Sequence, residues 1–302
     1  MKFPFFSLCL LVLLSSCGDH TANSGPSAPA APDNVPAPSS AVSQATPPKP
    51  TASSPVYWTP EMLHTEIKYH NPDYDGSGEF NMQGGEPVAL SLRGAKIKSL
   101  EFLTRLSPMA LDLSGTPILD IRPLKGMKLV ELYLEDSPVT DLSPLRGMPL
   151  EKIYLSRTPV ADLSALEGAP LVEVNVVNTK VSELSPLAKS PIQMLWLTGT
   201  PVESIAPLRG VPLISLTLHR TRVTDLSPLR GSSLQRLHIG ETSVSDLTPL
   251  KELPLTRLVF TPASIKTGLD IARALPLQEI GTQFDEDGRD LTPPDAFWAK
   301  FK

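Results

Sequence analysis

Apolar residues recur along this chain at a fixed interval of 21 residues. The series runs without insertion or deletion through Leu92, Leu113, Leu134, Leu155, Val176, Leu197, Leu218, Ile239 and Phe260. The sequence motif around these residues is clearest in LYLEDSPVTDLSPLRGMP, which begins at Leu132. Similar copies begin at Ile153 and at Leu216. One such repeat is too short to bury its own apolar face, so the nine copies predict a solenoid of stacked turns.

Within each repeat, alternating apolar and polar residues predict a short strand. Leu132 and Leu134 should point into the core and Tyr133 away from it, because side chains alternate across a strand. A second inward column follows, made of β-branched residues: Ile118, Val139, Val160, Val181, Val202, Val223 and Val244. The sequence therefore predicts one buried and one open face for the sheet.

Polar and turn-forming residues complete the repeat. A column of hydroxyls should bond backbone groups in its own bend and in the adjacent turn; it comprises Thr116, Ser137, Thr158, Thr179, Thr200, Thr221 and Thr242. Ser143 before Pro144 is typical of the start of a short helical turn. Glycines should end that turn in the left-handed conformation, at Gly126, Gly147, Gly168, Gly210 and Gly231.

The phrase LxLxxTxVxDLSPLxGxP resembles the leucine-rich repeat, close to its bacterial internalin-like subclass. That family usually has Asn where this chain has Thr, and often 22 residues where this chain has 21. The resemblance implies an α/β repeat solenoid that is curved and right-handed. Parallel strands would line its concave face and short 3₁₀ turns its convex face. It also implies binding as the usual role, and no particular partner.

The repeats should occupy residues 88–275, with a cap at each end. In the N-terminal cap, 56–87, Thr59-Pro60 predicts a helix start and Gly84-Gly85 a hairpin. Met62, Leu63 and Ile67 should form the apolar face of that helix. In the C-terminal cap, 276–302, a partial extra turn begins one residue late, and a last helix after Thr292-Pro293 carries Phe297, Trp298 and Phe301.

The N-terminus is typical of a secreted precursor. Residues 1–16 carry Lys2 and an apolar stretch that ends in small residues, as in a signal peptide. Leu14-Ser15-Ser16-Cys17 resembles the lipobox of bacterial lipoproteins. The resemblance implies cleavage before Cys17 and acylation of that residue, by palmitate among other chains, which would attach the protein to a membrane. The alternative is an ordinary signal peptide with an incidental cysteine.

Residues 17–55 are rich in Ala, Pro and Ser, and we expect them to form a disordered tether. The predicted location is the bacterial cell envelope. Gly18 after the cysteine resembles lipoproteins sorted to the outer membrane, which favours that membrane over the inner one.

Composition excludes several classes of function. The net charge of −5 gives no electrostatic case for nucleic-acid binding. The two cysteines are Cys9, inside the predicted signal peptide, and Cys17, so the mature chain should form no disulfide. No catalytic, metal or cofactor site is predicted. Asn71-x-Asp73-x-Asp75-Gly76 matches the first half of a calcium loop, but Met82 occupies the position of the required acid.

The candidate ligand-binding residues lie on the outward, concave side of the strands. Tyr133, Tyr154, Asn175 and Trp196 share one column. Lys152, Arg236 and Arg257 share a second column, and His238 and His219 lie beside the two arginines. Exposed aromatics are favoured at binding hot spots, although these rings could instead pack on each other and on Lys152. The basic cluster indicates an anionic partner, unless Glu241 neutralises it.

These patterns favour a membrane-anchored, non-catalytic module that binds a protein through its concave face. The alternative is a structural module of the envelope that binds a glycan or cell-wall polymer, with the aromatic rings as sugar platforms. An enzyme is not expected, because no nucleophile, base and orienting group come together in the sequence.

Lipid attachment is testable at Cys17. Replacing Cys17 with Ala should leave an uncleaved or soluble species without lipid mass, because the acylated thiol is lost. Detergent partition and intact-mass measurement check this, with Cys9→Ala as the matched control that should remain membrane-bound. An unaltered protein that is soluble and carries a free Cys17 thiol would overturn the lipoprotein hypothesis.

Overall fold

The computed structural model describes residues 57–283 and 290–300; Cys17, the tether and Phe301 lie outside these ranges. The described chain forms one sheet of eleven strands that follow each other in sequence order. The strands are β1 (Glu79–Gln83), β2 (Glu86–Ser91), β3 (Ala110–Asp112), β4 (Glu131–Tyr133), β5 (Lys152–Tyr154), β6 (Glu173–Asn175), β7 (Met194–Trp196), β8 (Ser215–Thr217), β9 (Arg236–His238), β10 (Arg257–Val259) and β11 (Glu279–Gly281). None of the described helices is long and apolar enough to cross a bilayer.

The N-terminal cap begins with helix α1 (Pro60–His70). The predicted start is confirmed, because the hydroxyl of Thr59 accepts a hydrogen bond from the Met62 N–H at 3.3 Å. Leu63 and Ile67 are buried. Met62 is 42% exposed, so its expected place on the apolar face was wrong. Its neighbour Leu63 occupies the core side of that turn instead.

The predicted hairpin is formed by β1 and β2, which pair antiparallel. From β2 to β10 every pair is parallel, and each step in register is 21 residues, as in Leu132 opposite Ile153. The ladder continues past the strands, because the Leu134 N–H donates to the Tyr154 carbonyl at 2.8 Å. The predicted solenoid is therefore confirmed, and backbone hydrogen bonds join each turn to the next.

The hydroxyl column acts inside each turn. The Ser137 hydroxyl donates to the Leu134 carbonyl at 2.6 Å, and the Thr158 hydroxyl donates to the Leu155 carbonyl at 2.7 Å. The expected bonds from this column to the adjacent turn do not form. The bend N–H groups already donate across to the next strand, so the hydroxyl satisfies the carbonyl three residues before it.

Short 3₁₀ turns form the opposite side, as Ser143–Leu145 does. The predicted start of this turn is confirmed, because the turn begins at Ser143, and Asp141 fixes that start. One Asp141 oxygen accepts the Ser143 N–H at 2.8 Å and the other accepts the Ser143 hydroxyl at 2.9 Å. Asp162, Asp225 and Asp246 do the same in their repeats. The left-handed turn end is confirmed at Gly147, whose φ is +73°.

The C-terminal cap interrupts the period. Strand β11 pairs with β10 at a 22-residue step, as Leu258 opposite Ile280, which confirms the late extra turn. A short helix that the sequence analysis did not predict, α2 (Leu269–Ala274), precedes it. A last helix, α3 (Pro294–Trp298), follows and buries Phe297. The Phe297 ring lies 6.1 Å from that of Phe260, so it covers the last repeat.

The inward valine column should be essential to the stack. Val181 is fully buried in a middle repeat. Val181→Asp would bury an unpaired carboxylate and should lower the free energy of unfolding by about 3–5 kcal/mol. Denaturant unfolding checks this, with Ser182→Asp as a control that places the same charge at an exposed neighbouring position. Equal stability of the two variants would contradict the placement of the column.

Candidate functional site

The open side of the sheet carries the predicted binding residues in register. Tyr133 pairs with Tyr154, Tyr154 with Asn175, and Asn175 with Trp196 across four strands. We call this side of β2 to β11 the concave face. The structure brings Tyr133, Tyr154, Trp196 and Lys152 together near its N-terminal half. It places the arginines and histidines near the C-terminal half.

The three aromatic rings form a continuous cluster. The rings of Tyr133 and Tyr154 stack with centroids 4.9 Å apart and planes 28° from parallel. The ring of Trp196 reaches across the strand that carries Asn175 and lies 6.0 Å from Tyr154. All three side chains are half-buried. The aromatic cluster therefore packs on itself and still presents part of its surface to solvent.

Carboxylates fix the position of this cluster. The Tyr133 hydroxyl donates to Glu131 at 2.9 Å, and the Tyr154 hydroxyl donates to Glu173 at 2.6 Å. The Lys152 ammonium lies between the two carboxylates, 3.3 Å from Glu131 and 3.6 Å from Glu173. Burial, and then the neighbouring carboxylates, raise the pKa of both tyrosine hydroxyls. The tyrosines therefore stay neutral, and their rings are held in place before any ligand arrives.

Asn175 has a supporting position. Its side-chain oxygen accepts hydrogen bonds from the Ser156 hydroxyl at 2.6 Å and from the Val177 N–H at 3.1 Å. The side chain thus braces the sheet beneath the aromatic cluster. A partner would contact the rings on either side of it first.

Most of the basic residues near the other end are neutralised. Arg257 contacts Glu279 on β11 at 2.6 and 2.5 Å. Arg220 contacts Glu241 at 2.8 Å, and the His219 ring lies 3.4 Å from the same carboxylate. Glu241 therefore neutralises part of the predicted cluster, whereas Arg236 makes no ion pair within residues 57–283 and 290–300.

The two histidines are buried on this face. His219 is 3% exposed and His238 is 7% exposed, so they offer little surface to a partner. Burial, followed by the charges of Arg257, His219 and Arg236, lowers the pKa of His238 to about 4. Burial also lowers the pKa of His219. At neutral pH the positive charge here comes from the arginines.

A further ion-pair network at the first repeats was missed by the sequence analysis. Asp112 is fully buried and accepts hydrogen bonds from Arg93 at 3.1 Å and from the Ser114 N–H at 2.8 Å. Arg93 also donates to Glu135 at 3.2 Å. The available signal was the 21-residue spacing, which places Arg93 two residues beyond the register partner of Asp112. The N-terminal half of the concave face thus holds four carboxylates against two cations: Asp112, Glu131, Glu135, Glu173, Arg93 and Lys152.

The geometry of the described residues suits binding. No group of three or more His, Cys, Asp or Glu side chains in the described ranges is placed to hold a metal ion. The segment from Asn71 to Gly76, which matches the first half of a calcium loop, has a structural role. The side-chain oxygen of Asn71 accepts hydrogen bonds from the N–H groups of Lys98 and Ser99 at 2.7 and 2.8 Å. That side chain joins α1 to the first repeat.

Comparison with solved structures finds internalins. An internalin (inlF) from Listeria monocytogenes aligns with a TM-score of 0.53 at 27% identity, over 65% of this chain and 67% of that chain. Internalin C2 (inlC2) from the same organism aligns with a TM-score of 0.58 at 24% identity, over 66% of this chain and 92% of that one. No protein-family model matches the chain, and no curated protein does. The fold is a leucine-rich-repeat solenoid like that of the internalins, which supports a protein-binding module.

The half-buried rings should contribute little to the fold. Trp196→Ala and Tyr154→Ala should each lower the free energy of unfolding by less than about 3 kcal/mol, below the 3–5 kcal/mol of a buried aromatic. Leu195→Ala is the control, because Leu195 is 1% exposed and adjacent in the strand. Thermal and denaturant unfolding check this. A Trp196 variant less stable than the Leu195 variant would place the ring in the core.

His238 should make the domain sensitive to acid. Its pKa near 4 in the folded state lies below that of the unfolded chain, so the unfolded chain takes up the proton first as pH falls. Its contribution to stability is present above about pH 6.5 and decreases toward pH 4. Between pH 7 and 4.5 the loss should be about 2–3 kcal/mol.

His238→Gln, which is neutral throughout, isolates this effect. Most carboxylates titrate alike in both proteins, so the difference between their unfolding free energies at pH 7 and 4.5 reports His238 together with its coupling to His219. An identical acid loss in the two proteins would mean that this imidazole is charged or accessible in the folded state.

Proposed function

We propose that this protein is a non-catalytic binding module that holds a protein partner on its concave face at the surface of a bacterial envelope membrane. The observation that carries the proposal is the aromatic cluster of Tyr133, Tyr154 and Trp196. Its rings are half-buried, and the two tyrosines are already oriented by Glu131 and Glu173. A partner that contacts them orders few side chains, which favours binding at such a surface.

The stacking geometry favours a protein over a glycan. A sugar platform uses an open ring face, whereas the Tyr133 and Tyr154 rings cover one face of each other at 4.9 Å. The charge of the concave face also changes along the solenoid, from the carboxylate-rich first repeats to the positively charged Arg236 in β9. Such a surface complements side chains of both charges, and electrostatic complementarity of this kind gives partner specificity.

The membrane attachment rests on the sequence alone. Leu14-Ser15-Ser16-Cys17 supports acylation of the cysteine, and the Pro-rich tether of 17–55 supports a domain held away from the bilayer. An extended tether adds up to about 3.1 Å per residue, so it would leave the concave face accessible to a partner in another layer of the envelope.

Site-specific photocrosslinking in intact cells tests the proposal. A crosslinker at Val177, whose half-exposed side chain lies beside the aromatic column, should capture a defined protein. The same group at Leu119, 68% exposed away from the concave face, is the matched control and should not. Adding Trp196→Ala should abolish the adduct from position 177.

Three outcomes would contradict the proposal. Equal adducts from positions 177 and 119 would indicate nonspecific contact. An adduct unaffected by Trp196→Ala would remove the aromatic cluster from the site. Capture of glycan alone would favour the structural envelope module.

A further inference from the structure

Arg236 differs from the other cations of the concave face. Arg93 contacts Asp112 and Glu135, Lys152 contacts Glu131 and Glu173, and Arg257 contacts Glu279, all within 4.0 Å. Arg236 makes no such contact with any residue of the described ranges. It is thus the position on this face where a guanidinium lacks a carboxylate among the residues described.

The residues around Arg236 favour the binding of an anion at this position. The side chain is half-buried on β9, with Ser215 opposite it on β8 and Arg257 opposite it on β10. Neighbouring strands lie about 4.8 Å apart, so the register places two positively charged side chains in adjacent turns, where an anion would reduce the repulsion between like charges. Glu279 supplies one such anion to Arg257, on the side away from Arg236.

The position of Arg236 relative to Trp196 defines the shape of a ligand. Trp196 lies on β7 and Arg236 on β9, two strands apart on the same side of the sheet. Trp196 is in register with His238, two residues along the strand from Arg236, so two strand spacings and this offset separate the two positions by about 12 Å. An extended peptide advances about 3.4 Å per residue, so a segment crossing the strands reaches from one side chain to the other in about three residues.

We propose that Arg236 binds the carboxylate of an Asp or Glu in an extended protein segment, whose apolar side chain about three residues away rests on Trp196. The planar guanidinium fork suits a carboxylate, with which it forms two parallel hydrogen bonds. Ser215 is the register partner of Arg236 on β8, and its hydroxyl is a second hydrogen-bond donor at this position. This inference rests on the proposed function and names the chemistry of the segment that the concave face selects.

Peptide selection tests the inference without an identified partner. A phage library of random 12-residue peptides is panned in parallel on the full chain in detergent and on its Arg236→Gln, Trp196→Ala and Arg209→Gln variants. Arg209 is exposed and follows a 3₁₀ turn, so its variant is the matched loss of charge outside the face. We expect peptides from the unaltered and Arg209→Gln proteins to be enriched in an acid about three residues from an aromatic or aliphatic residue.

Measured affinities then assign the contact. For one selected peptide, Arg236→Gln should weaken binding at least tenfold, and replacing the peptide acid with its amide should weaken it equally. The two changes together should cost no more than either alone. Arg236→Glu should prefer a peptide with Lys in place of the acid. This gain of binding keeps the test valid if Arg236→Gln lowers stability.

The remaining outcomes separate the two proposals. Selected peptides that need Trp196 but show no acid preference, or keep it on Arg236→Gln, would overturn the role of Arg236 and leave the proposed function intact. Peptides whose binding is unchanged by Trp196→Ala would overturn the proposed function as well. Selection of no peptide by the unaltered protein would overturn the extended-segment inference.

Discussion

The backbone ladder between successive turns is the interaction on which the rest of this structure depends. Each repeat adds one short strand in a 21-residue register, and the N–H groups of the bend that follows continue the ladder, as Asp136 donates to the Ser156 carbonyl at 2.9 Å. Because the register is constant, equivalent residues fall into columns about 4.8 Å apart. The ladder therefore determines which side chains meet.

The ladder also imposes a backbone conformation that the side chains do not favour. At the bend after each strand, Asp136, Arg157, Asn178, Arg220 and Glu241 have φ between +52° and +59°. A non-glycine residue in this left-handed region costs about 1 kcal/mol, and such strain persists where neighbouring contacts over-determine it. Four of these residues gain an ion pair from the arrangement, since Arg157 contacts both oxygens of Asp136 in the adjacent turn, and Arg220 contacts both oxygens of Glu241 in the same way. The stacking of turns thus compensates local strain.

The sequence was sufficient to predict the features that follow from the 21-residue repeat and from local residue preferences. The position of Val181 in the core, the alignment of Tyr133, Tyr154 and Trp196, and the helix start at Thr59 all follow from spacing and local preference. Partner choice within a bend could not be predicted in the same way. The turn starts at Ser143 as predicted, but the Asp141 carboxylate two residues earlier accepts both the N–H and the hydroxyl of that serine, and the sequence did not indicate this. Spacing alone does not identify the side chain that accepts these hydrogen bonds.

Burial on the concave face was equally beyond the sequence. His238 and Tyr154 occupy the same column, yet one is buried and the other is half-buried. The Arg93–Asp112 pair likewise joins different columns of adjacent repeats. A pattern read along one column does not show such diagonal contacts.

Radical footprinting in cells tests most directly whether the concave face is occupied. In the purified chain, Trp196 should react with hydroxyl radicals in proportion to its partial exposure, and Tyr69 on α1, 80% exposed, should react strongly. In intact cells Trp196 should be protected by the bound partner while Tyr69 remains reactive. Equal reactivity of Trp196 in both settings would contradict binding through this face.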